Sequence, residues 1–208
     1  MTNGSADEKN PDRLIALSDG IFAIAMTLLV LDIRLPANLD TAQFHDAVRK
    51  LLPNIAAYAL SFAILAGFWR DHRQILHTAR RVDALSLRLT LAGLGAIALV
   101  PFPTSILSEY ASQSLAVAVY AATVALVDLL HIALFVSIWR RPHLARPLED
   151  DVAYRIIGDL AAPALVFGAT IPIAFASPST ALWCWLALIP ANFTAALWQR
   201  HSRHRKNP

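Results

Sequence analysis

A single cysteine in 208 residues, Cys184, leaves no partner for an intramolecular disulfide and no thiolate cluster for a metal or iron–sulfur site. Charge is equally scarce: 16% of the residues are charged against 56% hydrophobic, and mean hydropathy is positive. Ordinary soluble domains carry about 25% charge, so this balance marks an integral membrane protein. Enzyme signatures are missing too. There is no G-x-S-x-G, no H-E-x-x-H, no Walker loop and no dinucleotide fingerprint, and no enzymatic activity is expected. The formal charge of +3 comes from basic residues that follow the loops and build no aromatic-interleaved basic domain, which argues against nucleic acid as a partner. His201 and His204 have helical spacing, but nothing completes a metal shell around them, so neither a metal nor a cofactor is expected.

What is present is a series of long apolar runs. About 20 such residues cross a bilayer, and runs of that length fall at 13–35, 53–76, 84–107, 114–139, 152–176 and 179–199. The sequence therefore predicts an all-α bundle of six membrane helices as one domain over 13–199. A polar tail (1–12) precedes it and a basic tail (200–208) follows. The first run is long and lacks a cleavage pattern, so it reads as a retained span. Basic residues cluster at Arg70, Arg73, Arg80, Arg81 and Arg88, at Arg140, Arg141, Arg146 and Arg155, and again in the final tail. By the positive-inside rule those turns, and with them both termini, are cytoplasmic. Trp183, Trp185 and Trp198 read as interfacial anchors.

The first span, RLIALSDGIFAIAMTLLVLDIRLP, carries polar residues that hydrocarbon resists, since an acid at the centre of a span costs roughly 2.5–3.5 kcal/mol on insertion scales. At 100° per residue, Ile24, Leu28 and Leu31 fall within roughly 60° of one another with Thr27 beside them, while Asp19 lies roughly 140° from Ile24. If the stripe faces an aqueous axis, Asp19 faces neighbouring helices and acts as a bracket. A stripe of this kind also suits packing or lipid contact, and a mid-span threonine often bonds back to its own helix.

Arg13-x-x-x-Leu17-Ser18-Asp19-Gly20 resembles the RxxxFSDG signature of the transmembrane protein 175 family of potassium channels, with Leu17 in place of the usual Phe. Tyr58-Ala59-Leu60-Ser61-Phe62 followed by Trp69-x-x-His72 is similar to that family's second helix, and Pro101-Phe102-Pro103-Thr104 to the close of its third. The resemblance covers roughly the first half of the chain. It implies a potassium channel with cytoplasmic termini whose first helices line the axis, and it places the constriction on Ile24, Leu28 and Leu31 and the threonine layer of potassium preference on Thr27. It also implies a buried network of Arg13, Ser18, Asp19, Trp69 and His72. The signature occurs once, and members with a single unit assemble as homotetramers, so the expected partners are three further copies, membrane lipids and permeant potassium ions.

Two features stand outside that resemblance. Asp128 and His131, three residues apart in the fourth span, form a candidate intramembrane polar pair, read either as a proton-coupling site or as a mutually hydrogen-bonded packing element. Thr90-Leu91-Ala92-Gly93-Leu94-Gly95 looks superficially like a selectivity filter, but its small residues suit close helix packing. The alternative to a channel is an ion- or proton-coupled secondary transporter with helices broken at Pro172 and Pro190.

Overall fold

The computed structural model describes residues 11–185, and these are almost wholly helical. Helix α1 (Pro11–Leu28) opens on a proline, whose missing N–H costs nothing at a helix start, and tightens into a 3-10 turn over Leu29–Asp32. The chain turns through Asn38, whose φ of 61° lies in the left-handed region that asparagine tolerates. It then enters α2 (Thr41–Lys50), where Asp40 and Gln43 satisfy each other's backbone amides in a capping box. Next come α3 (Leu52–Thr78), α4 (Ala84–Leu99), α5 (Pro101–Tyr110), α6 (Ser114–Trp139) and α7 (Asp150–Ala176). Residues 178–185 are helical as well.

Five segments among the described residues are long and apolar enough to cross a membrane: Pro11–Leu31, Thr41–Thr78, Ala84–Tyr110, Ser114–Trp139 and Asp150–Ala176. These take in the first five expected spans. The sixth, 179–199, lies mostly outside the described residues, as do His201, His204, Pro190, Trp198 and the basic tail. Helix α2 adds to the sequence reading, which named no helix between the runs at 13–35 and 53–76. It buries no side chain; its stability comes from the cap and the Asp46–Lys50 pair at 2.7 Å, not from packing.

The third span is interrupted. Two prolines, Pro101 and Pro103, remove backbone donors after Val100, so α4 ends there and α5 restarts with Thr104 bonding the Val100 carbonyl. By contrast, α7 passes through Pro163 and Pro172 as one helix, without the break at Pro172 that the transporter alternative would use. The Thr90–Gly95 segment lies wholly within α4.

Helix α6 is the hub, packing against α3, α4, α5 and α7. Buried hydroxyls join these elements. Ser61 on α3 and Tyr120 on α6 lie 2.9 Å apart, and Thr104 on α5 reaches Ser61 at 2.9 Å. Trp185 is a correction to the sequence reading: it is buried, its indole donates to Thr170 on α7 at 2.9 Å, and its ring packs against Tyr120 and Phe167. Trp183 is exposed. The loops after α3 and α6 are stapled by a bridge at Ala79 and Ala145, while Asp83 caps α4 and pairs with Arg141.

Candidate pore helix and its polar tether

Helix α1 is apolar all round, yet its faces differ. Phe22, Ala25 and Leu29 are each 1% exposed, whereas Ile24 is 61%, Leu28 41% and Leu31 53% exposed. The Ile24–Leu28–Leu31 stripe is thus left uncovered by the other described residues. Thr27 is exposed beside it, and its hydroxyl donates to the Ile24 carbonyl at 2.8 Å, which leaves its oxygen an acceptor. An aliphatic stripe exposed among the described residues, with a threonine hydroxyl beside it, is a surface for lipid, for a second copy or for an aqueous axis.

The opposite face is tethered to α3 by polar contacts that form two separate groups. In the outer group, the Trp69 indole donates to Asp19 at 2.7 Å, Arg73 stands 3.9 Å from the other carboxylate oxygen, and the Arg73 guanidinium lies 5.3 Å over the Trp69 ring. This group is partly exposed, so Asp19 is a half-buried bracket and not the desolvated acid expected from the motif. The cation that serves it is Arg73. Arg13 is exposed and makes no hydrogen bond or ion pair among the described residues, because it sits more than a turn before Asp19 at the helix start.

The inner group is fully buried. Ser18 donates to the Leu14 carbonyl at 2.7 Å and lies 3.0 Å from His72 Nε2. His72 Nδ1 lies 3.1 Å from His131 Nε2 on α6. Phe22 and Phe68 pack on the two imidazoles. Trp69 and His72, three apart on α3, therefore serve neighbouring residues of α1 but different groups. Asp128 and His131 do not bond to each other as a pair: His131 turns to His72, a contact between residues 59 apart in sequence that no local spacing announces. Asp128 Oδ2 and His131 Nδ1 are buried without a hydrogen-bond partner among the described residues, and so is Thr90 Oγ1. No group of three or more metal-ligating residues occurs among the described residues.

Residues 13–101, which contain α1, its tether and the Pro101 break, match the family described as endosomal/lysosomal potassium channel TMEM175. A potassium channel of Streptomyces collinus is 36% identical over 170 residues, covering 79% of this chain and 82% of that one. The chain belongs to the TMEM175 family. A crystal structure described as a lysosomal potassium-selective channel TMEM175 homolog from Chamaesiphon minutus superposes with a TM-score of 0.75 at 25% identity, covering 86% of this chain and 93% of that one. The human endosomal/lysosomal proton channel TMEM175 is 25% identical over 197 residues, which are 90% of this chain but 39% of that protein. The TMEM175 fold thus extends over the α6–α7 half, where the sequence carries no family motif.

Proposed function

We propose that this TMEM175-family protein is a passive, potassium-selective channel of the cell membrane, formed by four copies whose α1 helices surround the conducting axis. The observation that carries this reading is the uncovered Ile24–Leu28–Leu31 stripe on a helix whose other face is held by Ser18–His72 and Asp19–Trp69. Four such stripes around one axis make a narrow apolar throat, and dewetting of that throat is the closed barrier. Ile24 forms the constriction, with Leu28 and Leu31 one and two turns along and the Thr27 oxygens as the layer a dehydrating potassium ion meets. The basic loops and both termini lie on the cytoplasmic side, and the sixth span falls at 179–199. No cofactor takes part; the permeant ion is the only ligand of the axis.

A coupled transporter would need helices broken around a midplane site; α7 is continuous through both of its prolines while the third span is interrupted after Leu99, so flux is what separates the two readings. The test is the reversal potential of the purified protein in a planar bilayer with potassium and sodium on opposite sides. Unitary currents reversing towards the potassium potential are expected, with selectivity reduced by Thr27→Ala and conductance raised by Ile24→Asn. Saturating flux at low turnover without unitary currents would instead indicate a transporter.

A further inference from the structure

The inner polar group has a direction. The Ser18 hydroxyl spends its proton on the Leu14 carbonyl, so towards His72 it is an acceptor, and His72 Nε2 must carry the hydrogen of that 3.0 Å contact. A neutral His72 protonated at Nε2 is bare at Nδ1, which requires His131 Nε2–H to donate across the 3.1 Å between the rings. His131 is then bare at Nδ1. The chain from α6 through α3 to α1 therefore begins on an acceptor that is buried and has no donor.

One turn earlier on α6, Asp128 shares that face and is 1% exposed, with Oδ2 unpartnered. As a carboxylate it would need a cation, and none serves it: among the described residues Arg70 pairs with Asp71, Arg73 with Asp19, Arg141 with Asp83 and Arg155 with Asp151. The charged and titratable groups that act on this cluster are His72 and Asp71 from α3, Asp19 from α1 and, through Asp71, its partner Arg70 from α3 and Asp159 from α7. Three of these are acids, and His72 is neutral in the chain just described. A lone carboxylate in this interior is therefore far costlier than a carboxylic acid.

We propose that Asp128 and His131 form a buried proton-binding site, in which Asp128 is a carboxylic acid whose O–H serves His131 Nδ1 through one bridging water. The acid supplies the one donor the imidazole chain lacks, and the imidazole supplies the acceptor the acid lacks. Both orphaned atoms are satisfied by a single proton and a single water. The completed chain runs Asp128, His131, His72, Ser18 and the Leu14 carbonyl, so a proton on α6 orders contacts that end on α1.

The site is tested on the purified protein in lipid by the infrared difference between wild type and Asp128→Asn. The asparagine keeps an N–H donor and the shape but has no acid proton. The expected result is loss of one carboxylic-acid carbonyl band that shifts in heavy water, with the carboxylate region unchanged. Loss of a carboxylate band, or an unchanged acid region, overturns the proposal. In a second measurement, Asp128→Asn melts close to wild type, whereas Asp128→Leu, which leaves His131 Nδ1 without a donor, melts several degrees lower; equal melting of the two variants also overturns it. Neither readout involves ion flow, so failure here is distinct from failure of the channel reading.

Discussion

Helices α1 and α6 are both apolar spans interrupted by a few polar residues, but their surroundings are opposite. On α6, thirteen residues are buried against α3, α4, α5 and α7, with Asp128 and His131 among them, and Leu126 and Leu129 mark its one exposed face. On α1, five residues are buried along one strip, and the face that carries Ile24 is left exposed by the other described residues. Most hydrocarbon side chains of α6 therefore contribute to folding, as Phe22 and Ala25 of α1 do, and those on the Ile24 face of α1 are available for assembly or permeation. Composition does not separate these roles, because lipid, a partner subunit and a packed interior all accept leucine and isoleucine.

Truncation separates the two helices most strongly. Phe135→Ala opens a cavity at a fully buried site of α6 and is expected to cost on the order of 3 kcal/mol, seen as a large drop in melting temperature. Ile24→Ala should leave melting nearly unchanged while altering unitary conductance. Equal destabilisation by the two would erase the contrast.

The tether between the helices is the next target. Ser18→Ala removes the acceptor of His72 Nε2 and is expected to cost about 1 kcal/mol, with a change in conductance because the rotation of α1 is less firmly held. Trp69→Phe removes the donor to a half-exposed Asp19 and should cost less, below about 1 kcal/mol, by the same melting assay. An order reversed between these two would place the anchor of α1 in the outer group instead of the inner one.

The smallest effect lies outside both spans. Burial opposes ionisation of Asp83, yet the Ser86 amide and hydroxyl and the Arg141 guanidinium together hold its carboxyl below the usual 3.8. A depressed carboxyl contributes stability that is present above its ordinary range and lost as pH falls through the lowered value. The melting difference between wild type and Asp83→Asn should therefore be constant at neutral pH and close in acid below 3.8. A difference that grows on acidification would reverse the sign of this contribution.

How much of this was legible depends on the range of the interaction. Span existence follows from runs of apolar residues, and the Ile24–Leu28–Leu31 stripe follows from a periodicity over residues 24–31. The family motif grouped Ser18, Asp19, Trp69 and His72 in one network with Arg13, and did not divide it into the Ser18–His72 and Asp19–Trp69 contacts. Helix α2 escaped notice because Asp40 and Gln43 signal a cap only when a helix is already suspected, and its face buries nothing. The bond from His72 to His131, the replacement of Arg13 by Arg73 and the interior place of Trp185 each depend on which helices meet. That is a property of packing between distant segments, and spacing along one helix carries no trace of it.

The most direct measurement is reactivity of single cysteines towards a charged thiol reagent during current recording, in a Cys184→Ser background. Rapid block of Ile24→Cys, Leu28→Cys and Leu31→Cys, with Phe22→Cys, Ala25→Cys and Leu29→Cys spared, is the result predicted for α1 lining the conducting axis with its uncovered face. Block of the second set, or of neither, would contradict it.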